Sequence, residues 1–381
     1  MKVPKKTSLF ISFAFFALGT HSCQEHDSIT SSTHVEKIFE HVTVSNNALH
    51  FDAAESVPLI VSALSAMKEV DRRNWESLNG FTSMYSLISD VHRSLNNCTT
   101  HDEYADVLYR NRDLVTLEGD EVKQLIPLDY FTLIINREGL YYVDRILVKI
   151  TPTAKIYVLS GDIAKLKSLE SKLKSTTDID SIEAVPHVSN DVIIAKYVFS
   201  SKLKSDHSQE QGKIIYTDRV NSDGDRKVKF WIIPWRDSWL NHECDQYWQW
   251  RVEVKIENQK KLFGTWNFYA TTCYWEKTEF NMYQPLEQSF KFKECGGGTV
   301  FYDPYYWAPF VVSELSWSSG NSEVERHSEM ITVGSIIQNN PLPLPSIINA
   351  RGRATNRGMG GQFAGICEGG FKSTNNCLPT N

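Results

Sequence analysis

The stretch from Trp231 to Trp250, "WIIPWRDSWLNHECDQYWQW", holds five of the chain's ten tryptophans in twenty residues. Indole and phenol rings stack on the apolar faces of sugars and on partner side chains while their polar edges stay wet, so the chemistry on offer is binding. Period-2 geometry sorts the rings. Trp248 and Trp250 share a face with Val252, Val254 and Ile256, and Trp266 shares one with Phe268 and Ala270, so these read as core. Trp235 and Trp239 differ, because Pro234 interrupts a central strand and Arg236, Asp237 and Ser238 surround them. They are ligand-binding candidates, together with Tyr305, Tyr306 and Trp307 beside Pro304. The alternative is that they pack against loops or against the rest of the chain.

Other spacings fail chemical tests. In "NHECD", His242, Glu243 and Cys244 are neighbours, and neighbours in an extended chain point to opposite faces, so they cannot converge on one metal. Asp218, Asn221, Asp223 and Asp225 gather oxygens, but Arg219 and Phe230 fall at the first and last positions of an EF-hand frame; a plain hairpin is expected. Ser171-Lys172-Leu173-Lys174 lacks the companion motifs of Ser-x-x-Lys acyl enzymes and reads as a solvated face. "GMGGQF" lacks the last glycine of a dinucleotide loop. Glu276 and Glu279 could serve a glycosidase, yet acidic residues are too common here for a pair to carry weight. No catalytic residue, metal ligand or cofactor is assigned, and the balance leans away from an enzyme.

The N-terminus bears on where the chain works. Lys2, Lys5 and Lys6 precede the apolar run Leu9–Leu18, which is short of the roughly 18 residues a membrane span needs and reads as a signal peptide over residues 1–22. "ALGTHSC" resembles a bacterial lipobox with Cys23 as the acylated residue, although Thr20 stands where leucine is usual; cleavage after Gly19 is the alternative. The expected place is the outer membrane or cell surface, otherwise secreted or periplasmic. Membrane contact is expected only through the lipid, at about 0.8 kcal/mol per buried methylene.

Seven cysteines fit an exported chain, since a lipidated Cys23 leaves six to pair. Cys273 with Cys295 and Cys367 with Cys377 each close a short loop and are the disulfide candidates. The formal charge of −6 falls further once three leader lysines are lost, which disfavours nucleic acid and anionic surfaces as partners.

The positioning elements follow from periodicity. Residues 23–34 are a polar tether. From 53 to 109 the period is helical, with Val57, Ile60, Val61 and Leu64 on one face, Phe81, Met84, Tyr85 and Ile88 on another, and Thr100 as an N-cap. "YFTLIINREGLYYVDRILVKI" reads as a hairpin turning at Asn136–Gly139. A helix follows Ser160-Gly161-Asp162, and 201–212 reads as a linker. Beyond it strands dominate, opening with a hairpin at Asp223-Gly224. The expected architecture is an α+β N-terminal domain (35–200) followed by an all-β, sandwich-like C-terminal domain (213–381).

Three segments, "LIINREGLYYVD", "WRVEVKIENQKKLFGTW" and "RATNRGMGGQFAGIC", are similar to a family of uncharacterised exported lipoproteins of Bacteroidetes-type bacteria, a domain of unknown function. The resemblance implies a surface lipoprotein with a helical and hairpin N-terminal part and a β-rich C-terminal part, and no activity. The favoured role is binding of a glycan or a protein through C-terminal aromatics. The alternatives are a hydrolase whose carboxylates converge only in the fold, and a structural envelope protein.

Overall fold

The computed structural model describes residues 39–126, 129–175, 187–189, 191–196, 215–240, 246–286, 306–320, 322–337, 346–356, 363–370 and 377–379. Cys23, the leader, the tether, the 201–212 linker, the "NHECD" stretch, Cys295 and Tyr305 lie outside them. The described part is α+β and largely strands. Among the described residues no helix is long and apolar enough to cross a membrane.

The chain opens with β1 (Val42–Ser45) and β2 (Ala48–Phe51), joined by a turn at Asn46 and Asn47, both at positive φ. Four helices follow: α1 (Ser56–Ala66), α2 (Glu69–Leu78), α3 (Met84–Asn96) and α4 (His101–Arg110). Val57, Ile60, Val61 and Leu64 are buried on α1 as their spacing predicts. Thr100 caps α4 through a reciprocal capping box with Glu103. Phe81 lies ahead of α3, which Ser83 caps by accepting from the Ser86 amide at 3.1 Å.

Next come β3 (Val115–Glu118), β4 (Glu121–Gln124), α5 (Asp129–Ile134), β5 (Leu140–Val143), β6 (Ile146–Ile150), β7 (Ala154–Val158), α6 (Ile163–Ser175), β8 (His187–Ser189) and β9 (Val192–Lys196). One expectation is corrected here. The run before Asn136 is the helix α5, and the β5–β6 hairpin turns at Asp144 (φ 50°) and Arg145. Every residue of α5 is buried, so the run shows no alternation of faces and its period does not separate helix from strand. The Asn136–Gly139 turn does exist, linking α5 to β5. Asn136 Oδ1 accepts from the amides of Glu138 and Leu140, and a Cβ on Gly139 would stand 2.4 Å from the Ile150 carbonyl oxygen.

The remaining strands are β10 (Ile215–Val220), β11 (Arg226–Leu240), β12 (Gln246–Leu262), β13 (Thr265–Phe268), β14 (Cys273–Leu286), β15 (Tyr306–Ser318), β16 (Arg326–Ile337), β17 (Ser346–Asn356), β18 (Phe363–Gly370) and β19 (Cys377–Pro379). β10 and β11 form the expected hairpin, with Gly224 at positive φ and Asn221 Oδ1 accepting from the amides of Asp225 and Arg226.

Among the described residues the strands form three sheets. The first runs β1-β2-β5-β6-β7-β9-β8; the second β10-β11-β12-β13-β4-β3, with β16 also pairing β12; the third β15-β14-β17-β18-β19. The second sheet crosses the expected linker, because β13 pairs in parallel with β4. The main core does too: Ile233 and Phe268 pack with residues of α1, α3 and α5.

On β12, Val252, Val254 and Ile256 share one face with Phe230 and Ile232 of β11, and the Phe230 ring meets Trp275. The opposite face carries Arg251, Glu253, Lys255 and Glu257, and it is buried as well. Alternation predicts that such a face is wet. It stays dry because α5 closes over it, bringing Asp129 to Lys255. Burial would raise the Asp129 carboxyl, but Lys255 and Arg326 prevail and hold it below its ordinary value.

Candidate functional site

Where α1, α2 and α3 meet the β15–β16 connection, a cleft of about 610 Å³ opens. The chain turns sharply from α1 into α2, since Met67 and Lys68 are both extended, and this lays Glu69, Arg72 and Arg73 along one wall. α3 adds Tyr85, Ser89 and Arg93. The facing wall is Trp317 and the segment running into Glu325, Arg326 and His327.

Asn258 pins that segment. Its amide donates to the Glu325 carbonyl at 2.8 Å, and its Nδ2 donates to the Val324 carbonyl at 3.0 Å. Thr271 and Val324 exchange backbone hydrogen bonds, and the Ser319 amide donates to the Cys273 carbonyl at 3.0 Å. A connection that would otherwise be a surface loop is thereby held in place.

Aromatic and cationic groups line the interior. Trp317 stacks on His327 with centroids 3.8 Å apart and planes 9° from parallel, and Trp275 closes the cluster from behind, 4.9 Å from Trp317. Trp275 is fully buried whereas Trp317 keeps partial exposure. The guanidinium carbons of Arg72 and Arg326 lie 4.4 and 3.9 Å from the Tyr85 ring centre, close enough for cation–π attraction.

Part of the charge is internally matched. Arg73 and Arg93 both hold Glu69 and Asp90. Arg326 donates to Gln124 at 2.6 Å and Asp129 at 3.1 Å. Burial would raise Glu69, but Arg73 and Arg93 hold it below its ordinary value. Glu325 goes the other way: burial pushes it up to about 7, with Glu69 adding and Arg326, Ser89 and Arg93 opposing. His327 is lowered by burial, and at 3.8 Å the Glu329 carboxylate is too far to make a hydrogen bond that would reverse this.

Six buried polar atoms of the cleft residues have no hydrogen-bond partner: Ser65 Oγ, Arg72 Nε, Glu325 Oε2, Arg326 Nε and Nη2, and His327 Nε2. Buried polar atoms are satisfied in the great majority of cases, and each unsatisfied one costs about 1–3 kcal/mol. They are shielded from solvent, behind the surface of the cleft, and give it a polar wall.

The residues singled out from sequence lie elsewhere. Trp235 and Trp239 are on β11, opposite Arg251 and Tyr247 in register. Tyr306 and Trp307 begin β15, opposite Leu286 and Pro285, at the other end of the strand from Trp317. Glu276 and Glu279 are on β14, opposite Arg353 and Arg351. Among the cysteines, Cys273 is a free, buried thiol that burial pushes up to about 12, while Cys367 and Cys377 stand opposite each other on β18 and β19. Sequence reasoning missed Glu325, Arg326 and His327, which sit in "SEVERHSE" without a motif. Only the fold joins them to α2 and α3. Among the described residues no cluster of His, Cys, Asp and Glu is arranged to hold a metal ion.

No family model matches the chain, and no curated protein does. Among solved structures, the chain matches the crystal structure of a DUF4848 family protein from Bacteroides thetaiotaomicron, at 13% identity over 84% of this chain and 95% of that one, with a TM-score of 0.27. A superposition of that quality does not establish a shared fold.

Proposed function

We propose that the chain is an exported cell-surface protein, lipid-anchored through Cys23, that binds a glycan in the cleft between α2, α3 and the β15–β16 connection. One observation carries the binding reading: the half-buried indole of Trp317 stands in a cleft whose other lining residues include serines, arginines and glutamates. A sugar ring offers what such a lining needs, an apolar face for the indole and hydroxyls that both donate and accept. Trp317 belongs to the aromatic-rich C-terminal part, whose sheets are taken as sandwich-like in this reading. Trp235, Trp239, Tyr305, Tyr306 and Trp307 are the further aromatics that a long glycan or a protein partner could engage. The leader and the Cys23 region carry the export and anchoring reading.

The test is a titration of the full chain with cellohexaose, xylohexaose and maltoheptaose, recording tryptophan fluorescence. A saturable change with one of them, lost in Trp317→Ala, supports the reading. Flat traces with all three count against it. Metabolic labelling with a fatty-acid analogue, lost in Cys23→Ala, tests the anchor.

One observation favours hydrolysis as a second reading. Glu69 and Glu325 share the cleft and are driven apart in acidity, the arrangement of an acid and base pair. Release of reducing ends, abolished by Glu325→Gln, would establish it.

A further inference from the structure

We propose that the glycan taken by the cleft carries a uronate residue, whose carboxylate is bound by Lys68 and Arg72 where α1 turns into α2. The proposal rests on the reading of the cleft as a glycan site and names the chemical class of that glycan.

Both cations line the cleft, and neither has an ion-pair partner among the described residues. The other cations of the lining are committed: Arg73 and Arg93 hold Glu69 and Asp90, and Arg326 holds Asp129. Lys68 is exposed, so its ammonium can swing to a ligand. Arg72 is only 6% exposed. Its guanidinium carbon lies 4.4 Å from the Tyr85 ring centre, so cation–π attraction holds the group in place where a carboxylate usually would. Glu76, one turn further along α2, is bonded instead by Ser83 at 2.5 Å and Ser86 at 3.0 Å. Of the Arg72 nitrogens, Nε is shielded from solvent, whereas Nη1 and Nη2, also without a partner, are not. A guanidinium this deeply buried is costly without an anion, and a carboxylate arriving from the cleft completes it.

The carboxyls of the lining set the orientation of such a ligand. Glu69 is held by Arg73 and Arg93, and Glu325 is buried. Glu323 is exposed but belongs to the facing wall, so a ligand carboxylate is steered away from it, towards the α1–α2 turn. The positive end of the α2 dipole opens at that turn, because no side chain caps the helix at Lys68; of its first-turn acids, Glu69 is already held and Asp71 lies outside the lining. The whole chain carries a formal charge of −6, so a preference for an acidic sugar must come from this local pair of cations. A uronate is ionised at neutral pH and offers two oxygens to a guanidinium fork, while its ring keeps an apolar face for the indole of Trp317.

The experiment is isothermal titration of the full chain with cellohexaose, xylohexaose and maltoheptaose, each beside a counterpart carrying one uronate residue. Within the pair that binds, the acidic member is expected to bind about ten-fold tighter or more, since charge-assisted hydrogen bonds are about twice as strong as neutral ones. That ratio should shrink at about 1 M salt, where screening acts within about 3 Å. It should also shrink in Lys68→Gln and in Arg72→Gln, and Arg72→Lys, which keeps the charge but loses the fork, should not restore it fully. Lys68 is exposed, so Lys68→Gln decides the matter even where replacing the buried Arg72 unfolds the chain. Equal affinity within the pair, or a ratio that Lys68→Gln leaves unchanged, overturns the proposal and leaves the glycan reading standing. Absence of binding to all six sugars, with circular dichroism showing a folded chain, overturns both.

Discussion

The indole of Trp317 lies face to face with the imidazole of His327, their centroids 3.8 Å apart. Burial holds the imidazole neutral to lower pH than an exposed histidine, so at neutral pH the pair is a stack of two uncharged rings. A neutral imidazole keeps the stack apolar, whereas a protonated one would draw water to it.

Protonation of His327 is expected to quench Trp317. Fluorescence of the full chain should fall in a step lying below the range of a free histidine, and His327→Phe should remove the step while keeping the stack. For stability, a base whose folded value is depressed contributes above its unfolded value near 6.5, and that contribution is lost as pH falls through the folded value. A step at or above the ordinary histidine range would show that the ring is not shielded.

Glu325 has the opposite sign. Its folded value lies above its unfolded one, so its contribution is complete below the unfolded value and is lost as pH rises towards and past 7. Urea unfolding of Glu325→Gln should match the unsubstituted chain near pH 4. At pH 8.5 the variant should be the more stable, by up to about 3 kcal/mol. Equal stability at both pH values would place the carboxyl in water.

Asp129 joins α5 to the charged face of β12 through Lys255 and to β16 through Arg326. Removing one partner strands the other charges, so Asp129→Asn is expected to cost about 3–5 kcal/mol. Because the Asp129 value is lowered on folding, its contribution is present above the unfolded value and lost as pH falls through the folded one. Urea denaturation at pH 7 and pH 3 checks both statements, and the penalty should shrink at the lower pH.

The cysteines separate by thiol chemistry. Cys273 is buried with its value pushed up to about 12, so it should resist iodoacetamide in the native chain and react after unfolding. Cys367 and Cys377 occupy opposite register positions, and protein recovered from an oxidising compartment is expected to yield a peptide linking them. Non-reducing peptide mapping reads both outcomes, including any link from Cys273 to Cys295.

Much of the helical layer was legible in the sequence, because Val57, Ile60, Val61 and Leu64 face one way and Thr100 announces a cap. The β10–β11 hairpin was legible from Asp223-Gly224 for the same local reason. α5 was not, since burial on all sides erases its period. Nor was the buried charged face of β12, whose Arg251, Glu253, Lys255 and Glu257 look solvated until Asp129 arrives from over a hundred positions away. The cleft was illegible for that reason as well. Glu69 and Glu325 belong to segments that only the fold brings together, and neither stretch carries a spacing that chemistry would require.

The central claim is that the Trp317–Glu325 cleft is a glycan site, and Trp317→Ala tests it most directly. Isothermal titration of the full chain with cellohexaose, xylohexaose and maltoheptaose should show saturable binding to one of them, weakened about ten-fold or more in the variant, which corresponds to about 1.4 kcal/mol. Equal affinity in Trp317→Ala, or binding lost only when Trp235 and Trp239 are replaced, would contradict the account and move the site to the far end of β11.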